Sequence, residues 1–182
     1  MDAGGREGAP EPTRTAVIEL KGEEHKRPIS VLVLIHTPDL RVLLLERAPH
    51  PGFWQSVTGS QEGDEGLQAT ALREVGEETG ISACGEDLTD WHLSNRYEIF
   101  PRWRHRYRPG ITHNEEHVFS LCVPDVTLVA LALVEHSAAR WVHWREAAQE
   151  VFSWTNRDAI LILPSQVRRS RLSNLGPGRN VG

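Results

Sequence analysis

Gly59-Ser-Gln-Glu62-Gly-Asp64-Glu65-Gly66, then Leu67 to Leu72, then Arg73-Glu74-Val75-Gly76-Glu77-Glu78-Thr79-Gly80-Ile81 is the stretch on which the reading of this chain turns. Glu74, Glu77 and Glu78 stand at i, i+3 and i+4, which on a helix places three carboxylates on one face. Like charges so placed repel one another and call for a positive partner. Hard oxygen ligands of this kind suit Mg²⁺ or Mn²⁺. Arg73, one turn before Glu77, is placed for an i, i+4 ion pair. Leu67, Ala71, Leu72 and Val75 supply an apolar face for packing on a sheet, and Gly80 is a C-terminal stop. The glycines at 59, 63 and 66 make a loop whose backbone can approach a ligand closely.

The spacing G-x5-E-x7-R-E-[apolar]-x-E-E-x-G-[apolar] resembles the signature of the Nudix hydrolases at every position. The resemblance implies an α/β/α sandwich with a mixed β-sheet, and metal-assisted hydrolysis of a diphosphate bond. It implies Glu74 and Glu78 as principal metal ligands, with Glu77 as a further or water-borne one. Gly59 would offer its carbonyl, Arg73 would orient the glutamates and Glu65 would steady the loop. Which glutamate acts as base is left open.

The chain has 182 residues and a net charge of −5, enough for one domain with its own core and the wrong sign for a general nucleic-acid binder. No stretch approaches the length of an apolar membrane span, and the N-terminus lacks the apolar centre of a signal peptide. Cys84 and Cys122, without C-x-x-C spacing, read as reduced core thiols of a cytoplasmic protein. His113 and His117 are four apart but not on an expected helix, so a zinc site is not expected. The resemblance implies a small-molecule triphosphate, pterin or nucleotide, as the partner; no nucleic acid and no membrane are expected, and a monomer or homodimer is expected.

Residues 1–24 read as a partly disordered extension, 25–164 as the domain and 165–182 as a flexible tail. Ile29 to Ile35 reads as a strand buried on both faces, with Arg41 to Leu45 as its hairpin partner across Pro38-Asp39. Trp54 to Thr58 forms a third strand. Later strands are expected at Arg102–Tyr107, His117–Val123 and Arg140–Trp144. Two helices close the domain, one near Arg145–Val151 and one starting at Thr155 with Asp158 in a cap-like position.

Further runs resemble the bacterial dihydroneopterin triphosphate diphosphatases: Lys26 to Ser30, Glu46-Arg47, Phe53 to Ser60, Tyr97 to Phe100, Arg104 to Gly110, Glu135-His136 and Ser153 to Arg157. That resemblance implies hydrolysis of 7,8-dihydroneopterin triphosphate to the monophosphate and pyrophosphate, a step of folate biosynthesis. It implies substrate contacts by Lys26, Arg47, Thr58, Tyr97, Glu98, Ile99, Phe100 and Ser153, and a metal ligand at Glu135. Phe53, Trp54, Tyr97 and Phe100 are candidates for an aromatic slot around the ring. Lys26 and Arg47 are candidates for the phosphates. Two other readings stay open: a diphosphatase of ordinary or damaged nucleoside triphosphates, and a Nudix-like module that senses a nucleotide without cleaving it. Arg102, Arg104, Arg106 and Arg108 alternate with Trp103, His105 and Tyr107, which in a strand would set four guanidiniums on one face. That pattern suits a charged edge or substrate rim better than an RNA ribbon.

Overall fold

The computed structural model describes residues 25–174. Residues 1–24 and 175–182, and with them the expected N-terminal extension and the last part of the tail, lie outside the described residues. Seven strands form one mixed sheet: β1 (Ile29–His36), β2 (Arg41–Arg47), β3 (Trp54–Gln55), β4 (Val57–Ser60), β5 (Leu88–Glu98), β6 (His113–Cys122) and β7 (His136–His143). Three α-helices, α1 (Leu67–Thr79), α2 (Trp144–Glu150) and α3 (Trp154–Asn174), cover its faces.

Strand β1 is the centre. Its side chains alternate between two cores, which is why Ile29 to Ile35 reads as a continuous apolar run. Val31, Val33 and Ile35 pack with Ala71 and Val75 of α1. Leu32 and Leu34 pack with Ala147 of α2 and with Ala159, Ile160 and Leu163 of α3. The result is the expected α/β/α sandwich. One edge of β1 runs parallel to β6, and the other is shared by β4 at Ser30–Val33 and by β2 at His36. The expected β1–β2 hairpin is therefore joined at a single pair, His36 with Val42, and the long partner of β2 is β7.

The third strand is divided at Ser56. There the backbone N–H donates to Asn156 Oδ1 at 2.8 Å, and Asn156 Nδ2 donates to the Ser56 hydroxyl at 2.9 Å. Both residues are fully buried, so this pair adds buried hydrogen bonds to the apolar packing that holds α3 on the sheet. Asn156→Ala leaves two buried polar groups of Ser56 without partners. A loss of about 3 kcal/mol is expected, seen as a fall of roughly 6–12 °C in the thermal midpoint.

Several expectations are corrected. Residues Pro101–Arg106 form a 3₁₀ helix, not a strand. Arg104 turns back to Glu98 and the Ile99 carbonyl, Arg102 stacks over the Trp103 ring at 4.6 Å and Arg106 lines the cavity described below, so these arginines do not form one strand face. The eleven-residue edge strand β5 was not anticipated. Helix α3 begins one residue earlier than expected and is capped by Ser153, whose hydroxyl accepts from the Asn156 N–H at 3.2 Å. Asp158 pairs with its neighbour Arg157 instead of capping. The same helix runs to Asn174, so the boundary at 164/165 falls inside it, and Val167 packs onto the α3-side core. Cys84 and Cys122 are free but exposed, not core residues. No helix among the described residues is long and apolar enough to cross a membrane.

Candidate active site

Helix α1 delivers its acidic face as the spacing requires, and Arg73 organises it. The Arg73 guanidinium donates to Glu65 at 2.7 and 3.2 Å, to Glu74 at 2.8 Å, to Glu77 at 3.0 Å and to the Ser60 carbonyl at 3.1 Å. Glu65 also accepts from the Glu62 N–H and the Thr70 hydroxyl. It thus locks the glycine loop to the helix, as expected. The Arg73 bond holds its carboxyl down at about 2.

The three helix glutamates part company. Glu77 is 59 % exposed and turned to Arg73; the structure does not bring it into the cavity described below. Glu74 lies against Gly59 so closely that a Cβ there would sit 1.8 Å from its Cδ. Its carboxyl is pushed up to about 7 by burial, against the pull of Arg73. Glu78 is buried. Its carboxyl is pushed up by burial, and His136 and the Thr58 backbone N–H draw it back.

Glu78, Glu135 and His136 place one ligand atom each within 4.8 Å of one another. Glu78 Oε2 and His136 Nε2 approach to 3.2 Å, yet both atoms lack an aligned hydrogen bond. Buried polar atoms left this way ordinarily have a further partner. Two carboxylates and an imidazole converging on one point are a donor set that fits a divalent cation. Glu74, one turn away on the same helix face, is the next ligand available. Held there, such an ion neutralises phosphate charge and activates water.

Glu78, Glu135 and His136 open onto a cavity of about 710 Å³, while Glu74 lies behind Gly59 and outside its lining; the volume is within the range of small-molecule sites. All eight residues expected to touch substrate line it: Lys26, Arg47, Thr58, Tyr97, Glu98, Ile99, Phe100 and Ser153. So do Gly59, Glu78 and Glu135. The register of β2 shifts between Glu46 and Arg47, a bulge of the kind that re-aims a side chain. Arg47, Lys26 and a third cation, Arg106, line the wall together. Burial and mutual repulsion lower the pKa of both Lys26 and Arg47, and nearby glutamates, Glu135 among them, oppose the fall. A cluster of cations that repel one another favours a polyanion between them. The aromatic walls differ from expectation. Phe53 and Trp54 lie outside the lining, Phe53 stacking on Phe152 and Trp54 beneath Arg140. Trp103, Phe152 and Trp154 line the cavity in their stead, with Tyr97 and the half-exposed Phe100.

Sequence reasoning missed His136, Arg106, Asn114 and Glu116. The last two point inward at i and i+2 of β6, in phase with buried Val118 and Ser120. Polar residues in that phase were the available signal. Glu116 is 5 % exposed. Burial pushes its carboxyl up to about 7, against the pull of the Thr155 hydroxyl. A raised carboxyl makes the folded state hold a proton that the unfolded chain releases near pH 4.5, so its contribution to stability falls from there to about pH 7 and then levels off. The stability of Glu116→Gln relative to wild type should therefore rise over that window and stay constant above it. Denaturant titrations at pH 5 and pH 8 measure the difference.

A model of the NUDIX domain matches residues 26–162. The chain is 44% identical over 144 residues to the dihydroneopterin triphosphate diphosphatase of Escherichia coli (strain K12), covering 78% of this chain and 95% of that one. It is 43% identical over 140 residues to the protein of the same name from Haemophilus influenzae, covering 75% and 87%. The structure of the E. coli dihydroneopterin triphosphate pyrophosphohydrolase superposes with a TM-score of 0.69 at 45% identity, over 75% of this chain and 94% of that one.

Proposed function

The chain belongs to the NUDIX family, and we propose that within it the protein is a cytoplasmic, Mg²⁺-dependent diphosphatase acting on 7,8-dihydroneopterin triphosphate. The products are the dihydroneopterin monophosphate and pyrophosphate, so water cleaves the α–β anhydride. One observation carries the reading: eight substrate residues expected from separate parts of the chain line a single cavity with Glu78, Glu135 and His136. The 43–44% identity to two proteins bearing that enzyme name supports it.

The division of labour follows from the residues. Lys26, Arg47 and Arg106 bind the phosphates and orient the chain of anhydrides. Glu74, Glu78, Glu135 and His136 hold the divalent ion, with Arg73 keeping Glu74 in place. Tyr97, Trp103, Phe100 and Phe152 offer apolar faces to the ring. The substrate is tested by kcat/KM for 7,8-dihydroneopterin triphosphate, GTP, ATP and dATP under Mg²⁺. The pterin compound should lead by roughly tenfold or more. A nucleoside triphosphate ahead of it would overturn the substrate while leaving the metal site standing.

A further inference from the structure

Away from the Glu78–His136 pair, two acceptor atoms in the cavity wall have no hydrogen-bond partner among the described residues: Glu116 Oε2 and Asn114 Oδ1. Both residues are buried, at 5 % and 1 % exposure, and both line the cavity. Asn114 turns its amide nitrogen to two hydroxyls. Its Nδ2 donates to the Ser30 hydroxyl at 2.7 Å and to the Tyr97 hydroxyl at 3.1 Å, which consumes both N–H groups and leaves the carbonyl oxygen over. Strand pairing holds these residues together, with Ser30 opposite Glu116 and Tyr97 opposite Asn114. Among the described residues no basic group draws the Glu116 carboxyl down, and the Thr155 hydroxyl alone does so. A buried carboxylate beside an unpaired carbonyl costs stability until donors arrive. The phosphate end of the cavity is cationic and cannot be what this acceptor pair receives, because a phosphate would be repelled.

We propose that Glu116, supported by Asn114, is the specificity-determining residue that receives the N–H and NH₂ edge of a 2-amino-4-oxo heterocycle. A pterin presents adjacent ring N–H and exocyclic NH₂ donors at that edge, as guanine does. One carboxylate can accept both, and Asn114 Oδ1 is a further acceptor beside it. Adenine, with an acceptor where these rings carry N–H, is excluded by the same atoms, since its ring nitrogen would face a carboxylate. The proposal rests on the cavity being the substrate site, but it concerns the ring class and not the identity of the triphosphate.

The test separates the two. Dissociation constants of GTP and of ITP, which lacks only the 2-amino group, are measured in EDTA for wild type and Glu116→Gln. Wild type should bind GTP about 10- to 100-fold more tightly than ITP, the span expected for a hydrogen bond to a charged group. Glu116→Gln should bring the two within about threefold. Equal affinities in wild type, or a preference that survives in Glu116→Gln, would overturn the role of Glu116. The KM for 7,8-dihydroneopterin triphosphate should rise at least about tenfold in Glu116→Gln with kcat far less affected. An unchanged KM would also overturn it. Should wild type fail to cleave the pterin compound, the nucleotide pair still decides the question. Should Glu116→Gln fail to fold, the wild-type ratio of GTP to ITP decides it alone.

Discussion

Replacing Glu78 by Gln should lower kcat by about three orders of magnitude, or ~4 kcal/mol of transition-state stabilisation. Glu78 is the one helix glutamate that both lies buried and converges with Glu135 and His136. Gln keeps the shape but gives up the charge, and its amide would direct N–H groups or a neutral oxygen at the ion. The fold should not suffer, because burial already opposes the Glu78 charge in the absence of an ion. A thermal midpoint at or above that of wild type, together with weakened divalent-cation binding by calorimetry, is the expected accompaniment. An unchanged rate would remove Glu78 from the metal site.

Gly59→Ala is the second large effect, and it acts through a neighbour. The added Cβ would lie 1.8 Å from Glu74 Cδ and 1.9 Å from Oε1. The obstructing atoms are the end of a flexible side chain, so the backbone of β4 can stay and the carboxylate swings away. Folding should therefore be close to normal, while activity drops about 100-fold, the scale of a misplacement of about 1 Å in a reacting group. Steady-state kinetics beside circular dichroism tests both halves. Activity near that of wild type would mean that the position of Glu74 against Gly59 is immaterial.

The site was legible wherever a short local spacing forced it. Arg73, Glu74 and Glu78 sit within two turns of one helix with Glu65 in the loop just before it, and the bounds Leu67–Thr79 followed from the apolar face and from Gly80, which takes a left-handed φ of 69°. The cavity wall needed partners far apart in sequence. His136 looked like a companion of Glu135 and not like a ligand, because its approach to Glu78 depends on β7 pairing with β2. Glu116 sat unnoticed in a polar run, His113 to His117, whose phase only the parallel pairing with β1 reveals.

The misreadings have physical causes as well. Arg102 to Arg108 alternates with rings as a strand would, but Pro101 opens a 3₁₀ turn in which local partners absorb Arg102 and Arg104 while Arg106 lines the cavity. Strand β5 is an edge strand with one half-buried side and a left-handed residue, His92, so its alternation is weak. The end of α3 looked like a basic tail after Pro164. The helix nevertheless passes through that proline, because Leu163 and Val167 hold it to the core.

Pyrophosphate release from 7,8-dihydroneopterin triphosphate, followed with Mg²⁺ and again after chelation with EDTA, is the most direct measurement. A metal-dependent diphosphatase built on Glu74, Glu78, Glu135 and His136 releases one pyrophosphate and one dihydroneopterin monophosphate per substrate with the ion, and neither without it. Undetectable pyrophosphate from this compound, beside brisk release from a nucleoside triphosphate, would contradict the pterin assignment; release undiminished by EDTA would contradict the metal site itself.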